Sequence, residues 1–577
     1  MRRILFLTIA LLCTSWVLEA QTRLNPADYI YPVQEVARLY SANFGEMRPG
    51  HFHAGIDIKT DGVEGKPLVA VADGYVSRIV VQAGGYGRAI YLTLRNGQTA
   101  VYGHLQRFRP DIEQRMQRER YARKSNSVDR WFSAEEFPVK QGDLIGYSGN
   151  SGSSGGPHLH FELRDTKDQR LRNVVSEGII NPTDSLPPRF MKLHYVEIDS
   201  LPSGVCIHRP MESYAVVRES EGRYRLTREE PIPVGRKGYF IAEVTDRRNG
   251  VHNTFAVHQI KAELDGKTIF EFRIDHFTHA FSRSCDAVSH YPLQLTSRNE
   301  AIRLAQLEGA PSFCYPTLVE RGLVRTLPTE QRAMRLTTTD DCGNRSTLEF
   351  RIEGRSELFL AEEPGEEVEL IRMKQPKRFR IGSEFSIDLP AEALYESCYA
   401  KAEPGTVPKV DSGLLVLSPA YRLLDPTTPM RKAATVTIRT YVPDSLRTKT
   451  LLGVRNRLGR AAAAGGSYKE GEVSVATRTM GDWFVVADLL PPRVEPIFTN
   501  GAELRKQLTF KVSDNFSGIA SWRLEIDGEW RPCDRYPSRG RLIFHFDRPA
   551  ENRTHTYRLV VRDGVGNETV RKGTFRH

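Results

Sequence analysis

Runs in which apolar and polar residues alternate recur along most of the chain, separated by Asp, Gly, Asn and Pro. Val436-Thr437-Ile438-Arg439-Thr440-Tyr441 and Tyr557-Arg558-Leu559-Val560-Val561-Arg562 are clear examples. Successive side chains of a strand point to opposite faces, so a period of two predicts half-buried strands joined by tight turns. The expectation is therefore a mainly β protein. One stretch departs from this pattern. Residues 106–138, between Leu105 and Val139, form a connection longer than a hairpin needs. There Pro110 with Asp111 and Glu113 marks a helix start that continues from Gln114 to Lys124.

The same landmarks occur twice in the same order. Leu186-Pro187-Pro188-Arg189 returns as Leu490-Pro491-Pro492-Arg493, and Val244-Thr245-Asp246 with Gly250-Val251 returns as Val512-Ser513-Asp514 with Gly518-Ile519. Glu263-Leu264-Asp265-Gly266 then matches Glu525-Ile526-Asp527-Gly528, and Asp340-x-x-Gly343-Asn344 matches Asp563-x-x-Gly566-Asn567. The last two landmarks lie 75 residues apart in the first copy and 36 in the second, so the first carries an insertion. The Asp-x-x-Gly-Asn pattern resembles the last turn of bacterial immunoglobulin-like domains. Turn chemistry alone accounts for its Asp, Gly and Asn residues, with a calcium site as the alternative. The divisions read from the chain are 1–20, 21–186, 187–356, 357–489 and 490–577. No function follows from residues 357–489.

Histidines gather in three segments within 110 residues of one another: His51-Phe52-His53-Ala54-Gly55-Ile56-Asp57, Tyr102-Gly103-His104, and His158-Leu159-His160-Phe161-Glu162-Leu163. On a strand His158 and His160 share one face while Leu159, Phe161 and Leu163 fill the other. Gly55 and the preceding Pro49-Gly50 make the first segment a turn entering a strand rather than a helix. A lone His-x-His is weak evidence for a metal; three such segments beside glycines are strong.

His53-x-x-x-Asp57 with His158-x-His160 resembles the LytM/lysostaphin-type zinc metallopeptidase family over roughly residues 40–185. Gly142-Asp143-Leu144-Ile145-Gly146 with Gly149-Asn150-Ser151-Gly152, and the closing Asn181-Pro182, belong to the same likeness. The resemblance implies a compact all-β peptidase domain, with His53, Asp57 and His160 as Zn2+ ligands and His104 and His158 as catalytic histidines that do not bind metal. Two imidazoles and one carboxylate leave a tetrahedral position open for water, as a catalytic zinc requires. His104 and His158 are then placed to orient that water, move its proton to the leaving amine and stabilise the oxyanion. His51 is expected outside this machinery. The long connection, with seven basic and three acidic residues from 107 to 124, reads either as a cationic flap beside the groove or as a solvated helix.

Composition narrows the setting. A chain of 577 residues with 40% hydrophobic and 26% charged residues is ordinary for about three to five domains and excludes disorder. Its only strongly apolar run, Ile4 to Leu12, follows Met1-Arg2-Arg3 and precedes Ala20. It is far shorter than the roughly 20 residues of a spanning helix, so residues 1–20 read as an export signal and no transmembrane span remains after its cleavage. Export to the periplasm or cell envelope leaves Cys206, Cys285, Cys314, Cys342, Cys398 and Cys533 either to form one or two disulfides or simply to be buried; no C-x-x-C occurs. The net charge of +10 is dispersed, which argues against a nucleic-acid partner and favours acidic wall polymers.

The combined expectation is an exported zinc-dependent endopeptidase that cuts the peptide stems cross-linking peptidoglycan through a zinc-activated water. Its peptidase domain is followed by two immunoglobulin-like sandwiches with a further β domain between them, which position the enzyme or bind an activator or envelope partner. Two rival readings are a non-catalytic wall-binding or amidase-activating scaffold and a zinc protease acting on proteins.

Overall fold

In a computed structural model the described residues are 24–357 and 359–577. The expected export signal at 1–20 lies outside them. Among the described residues no helix is long and apolar enough to cross a membrane.

The first unit is built on an antiparallel sheet. Its main path runs Tyr40–Ala42, Ile56–Lys59, His158–Asp165, Gln98–Gly103, Arg88–Leu94, Gly74–Val81 and Val128–Trp131. A smaller sheet of Pro67–Val69, Leu144–Tyr147 and Arg107–Phe108 accompanies it. The central strand His158–Asp165 shows why the alternation matters. Leu159, Phe161 and Leu163 are almost wholly buried, and Phe161 packs edge-on against Tyr102 at 5.3 Å. Each such side chain contributes about 1.5–3 kcal/mol of apolar burial, which fixes the register and holds the histidine face opposite.

The core does not stop at residue 186. Strand His276–Phe277, from the insertion in the second unit, pairs with Leu171–Arg172 and so extends the sheet of the first unit. Phe277 packs with tilted rings against Phe44 and Phe52 at 5.1 and 5.6 Å, and a single hydrophobic cluster runs from Tyr29 to Ile352. Asn43 and Ala256 exchange two hydrogen bonds across the same boundary. Residues 187–356 form a mixed sheet of thirteen strands, whose long antiparallel pairs include Arg189–Ser200 with Lys237–Thr245 and Gln331–Thr339 with Arg345–Gly354.

Residues 357–489 contain five- and six-stranded sheets around a core that includes Phe379, Phe385, Val436 and Trp483. Two four-stranded sheets, one centred on Gln507–Ser513 and Arg541–His545 and the other on Ile519–Ile526 and Thr554–Asp563, form the last unit around Phe510, Leu524 and Leu559.

Two readings that the sequence leaves open are narrowed. All six described cysteines are free, and Cys285, Cys314 and Cys533 are simply buried, so no disulfide staples the units. The helix Pro110–Arg123 starts at the predicted proline; Arg118 and Arg123 stay exposed, while its other side is docked against neighbouring elements. Ile112 and Met116 enter the core, and Arg120 reaches Asp534 of the last unit at 2.5 Å. Arg88, ion-paired to Glu113 of the helix, also approaches Asp534 at 3.3 Å. Tyr121 donates to Asp547 at 2.5 Å and stacks edge-on with Trp530, while Asn126 bonds both Trp522 O and Cys533 N. The connection is the seat on which residues 490–577 dock.

Candidate active site

Strand pairing assembles the site. In the register of the central strand, His160 stands opposite Asp57 on one side and Gly103 on the other. Gly103 lies so close that a Cβ there would come within 3.3 Å of both His160 and Tyr86. His104 follows with φ 64°, a left-handed conformation that costs a non-glycine residue about 1 kcal/mol or more. Its backbone N–H donates to Tyr86 O at 2.8 Å, and its Nδ1 bonds Ser151 O at 2.8 Å. These two bonds hold the turn and aim the ring.

Three buried donors converge. His53 Nε2 lies 3.1 Å from both His160 Nδ1 and Asp57 Oδ1, and His160 Nδ1 lies 3.0 Å from Asp57 Oδ1. Four ligands at about 2.0–2.1 Å around a tetrahedral ion stand about 3.3 Å apart, so this triangle has the dimensions of one face of such a site. Outer contacts set the tautomers. His53 Nδ1 is 2.8 Å from Asn43 O, a carbonyl that can only accept, so the proton sits on Nδ1 and Nε2 keeps its lone pair. His160 Nε2 is 2.7 Å from Glu162, which frees His160 Nδ1 in the same way.

Burial penalises the charge on Asp57, yet His53, with hydrogen bonds from His158 and His160, holds its carboxyl well below the usual range. Burial also opposes a charged His160 ring, but the hydrogen bonds to Asp57 and Glu162 outweigh it and lift the ring to about 9. That proton is what a metal ion at Nδ1 would displace. His104, depressed to about 3 by burial and by the His158 and His160 rings, is neutral.

All five expected residues meet here. His53, Asp57 and His160 form the donor triangle. His158 Nε2 lies 3.5 Å from Asp57 Oδ1, and its ring is 4.8 Å from that of His104. His158 Nδ1 is committed to Gly156 O at 2.8 Å, so Nε2 is the nitrogen turned toward Asp57. His51 stands apart, exposed, with Nδ1 on Pro49 O.

Sequence reasoning missed three contributors. Glu162, fully buried, accepts from His160, from Tyr86 OH at 2.5 Å and from Arg164 at 2.7 Å. Its signal was present: it continues the alternation that puts His158 and His160 on one face. Asn43 and Arg48 had none. Arg48 donates to Asp57 Oδ2 at 3.0 Å from a two-residue hairpin strand, Met47–Arg48.

Residues 51–122 and 120–172 match Peptidase family M23. The first unit is a peptidase family M23 domain. This M23 domain is 35% identical over 144 residues to an uncharacterized metalloprotease of Haemophilus influenzae. It is 33% identical over 112 residues to the DD-carboxypeptidase/endopeptidase Mpg of Neisseria meningitidis serogroup B. Those alignments cover 23% and 19% of this chain and 24% and 20% of the relatives, so the chain spans a quarter or less of the length of the curated proteins it matches. Among solved structures, the catalytic domain of the prophage-encoded M23 protein EnpA from Enterococcus faecalis is 27% identical, covering 24% of this chain and 88% of that one, with a TM-score of 0.18. The catalytic domain of lysostaphin from Staphylococcus simulans is 24% identical, covering 23% and 85%, with a TM-score of 0.16. Residues 369–488, within the segment that sequence reading left without a function, match a Zu5-like domain.

Proposed function

We propose that the protein is an exported zinc-dependent endopeptidase that hydrolyses peptide cross-links of peptidoglycan. The observation that carries this reading is the buried triangle of His53 Nε2, Asp57 Oδ1 and His160 Nδ1 with two further imidazoles beside it. Only nitrogen and carboxylate oxygen are offered, two imidazoles and one acid, a donor set that suits zinc and is too small to close its coordination. Zinc held there supplies a Lewis acid that makes a coordinated water nucleophilic near neutral pH and polarises the scissile carbonyl.

The chain's own groups supply the proton path. His158 Nε2, 3.5 Å from the Asp57 carboxylate, takes the proton of the attacking water as the C–O bond forms. That Nε2–H then donates to the oxyanion of the tetrahedral adduct and passes to the leaving amine as the C–N bond breaks. His104, more deeply buried and held neutral, accepts a hydrogen bond at Nε2 and orients the water. Glu162 positions His160 by fixing its tautomer.

We read residues 490–577 as an immunoglobulin-like sandwich and residues 187–356 as an enlarged copy of it, both serving to position the peptidase or bind an envelope partner. The wall substrate is supported by the DD-carboxypeptidase/endopeptidase relative. Equilibrium zinc titration with digestion of purified peptidoglycan tests the reading. One zinc per chain and new peptide amino groups are expected, both lost in His160→Ala. Zinc binding without cleavage of sacculi, but with cleavage of proteins, would transfer the activity to protein substrates.

A further inference from the structure

Two carboxylate clusters lie outside the peptidase site, and they consist of equivalent residues of the two repeats. Asp184, Asp246 and Asp340 each bring an oxygen within 4.8 Å of the others, and so do Asp488, Asp514 and Asp563. Asp184 and Asp488 each stand two residues before Leu-Pro-Pro-Arg. Asp246 and Asp514 end the Val-Thr-Asp and Val-Ser-Asp landmarks, and Asp340 and Asp563 open Asp-x-x-Gly-Asn. The supporting bonds repeat as well: Asn344 Nδ2 donates to Asp184 O at 3.3 Å, and Asn567 Nδ2 to Asp488 O at 2.9 Å.

Turn chemistry explains part of each cluster. Asp340 accepts from the backbone of Cys342 and Asn344, and Asp563 from that of Val565 and Asn567. It does not explain what remains. Asp246 is 0% exposed, and neither of its carboxylate oxygens has a hydrogen-bond partner. Asp488 is 0% exposed and its Oδ1 is bare; Asp184 Oδ2 and Asp514 Oδ1 are bare too. Arg248 beside the first cluster is ion-paired to Asp341 instead. Burying unpaired carboxylate oxygens next to like charges is costly unless a cation sits among them. Burial, with Asp340 adding to it, pushes the Asp246 carboxyl up to about 9.

We propose that each cluster is a calcium site, so that the chain carries two structural calcium ions, one at each Leu-Pro-Pro-Arg junction. All the donors are oxygens, which selects a hard cation over zinc. Calcium accepts several carboxylate and carbonyl oxygens in irregular geometry at about 2.3–2.6 Å, which suits donors set by turns, whereas magnesium demands a near-ideal octahedron at about 2.0–2.1 Å. Asp184 belongs to the segment joining the peptidase unit to the next, and Asp488 ends the strand Asp482–Asp488 of the Zu5-like unit. An ion at either place ties a repeat unit to the one before it.

The test is calcium titration of the full chain by calorimetry, with the melting temperature recorded with and without calcium. Two ions per chain are expected, with Kd values in the range of about 10⁻⁶–10⁻³ M. Asp246→Asn and Asp488→Asn should each remove one ion, and the double variant both. Because the amide matches the carboxyl in size and brings no charge, these variants should melt no lower than wild type in calcium-free buffer, which separates lost binding from misfolding; Asp514→Asn repeats the test at the second site should Asp488→Asn misfold. Wild type that binds no calcium at 10 mM (roughly tenfold above the weakest expected Kd), variants that keep both ions, or magnesium binding as tightly as calcium would overturn the proposal.

Discussion

Replacing Asp534 with Ala should loosen the last unit from the peptidase domain. Two arginines converge on this carboxylate from below, Arg120 at 2.5 Å and Arg88 at 3.3 Å, with side chains 2% and 6% exposed. Arg88 keeps Glu113 after the substitution, so its charge stays compensated. Arg120 does not: Asp534 is its ion-pair partner among the described residues, and the variant leaves a buried guanidinium without an acid. Removing one member of a buried pair costs about 3–5 kcal/mol, and the low end applies because Asp534 is itself 16% exposed. About 3 kcal/mol corresponds to a shift of roughly 150-fold in the docking equilibrium. Amide hydrogen exchange reads this locally, with faster exchange in residues 110–123 and 529–536 and little change in the central peptidase sheet. Adding Arg120→Ala should recover part of the loss, because the stranded charge is gone. Asp547→Ala, which removes only the Tyr121 contact at the interface edge, should cost far less. Unchanged exchange in Asp534→Ala would refute the reasoning, since it would mean that the arginines are solvated and the docking surface does not depend on them.

Other parts of the account are open to equally direct tests. Glu162→Gln should weaken zinc binding about 10–100-fold, read by competition with a chromogenic chelator, because the amide no longer anchors the His160 tautomer; equal affinity would remove Glu162 from the site. Since His160 holds its proton up to about 9 in the metal-free chain, zinc affinity should climb as pH rises from 6 toward 9 and then level off. A flat profile would show that no proton is displaced. A fragment ending at residue 186 loses strand His276–Phe277 and bares Phe44 and Phe52, which are 2% and 0% exposed in the full chain. It should be poorly soluble or molten by near-UV circular dichroism, whereas a sharp cooperative melt would show that the shared core is dispensable.

The peptidase site was legible because its information is local. His158-x-His160 sits on a strand whose opposite face is Leu159, Phe161 and Leu163, so the alternation alone aims both imidazoles one way. Asp57 and His104 needed the family likeness to join them, since only the antiparallel register places Asp57 and Gly103 on either side of His160. Residues that act across long separations in sequence were not legible. Asn43, which sets the His53 tautomer, and Arg48, which holds Asp57 Oδ2, carry no pattern of their own. The helix at Pro110–Arg123 was read from its proline and acidic first turn, yet its partner lies more than 400 residues away at Asp534, and no periodicity encodes such a contact. The two repeats were visible as landmarks, but the convergence of their three aspartates appears only when the strands are paired. The free cysteines show a similar limit, because an oxidising compartment would permit disulfides without bringing any two thiols together.

The most direct test is digestion of purified, cross-linked peptidoglycan by the full chain carrying one zinc, with soluble muropeptides separated and weighed by mass spectrometry. The account predicts loss of cross-linked dimers with gain of monomers, each cut adding one water and one free amine, and no such products from His160→Ala or from chelated protein restored with magnesium. Intact dimers after exposure to the zinc-loaded chain would contradict it and leave the M23 domain a binding module.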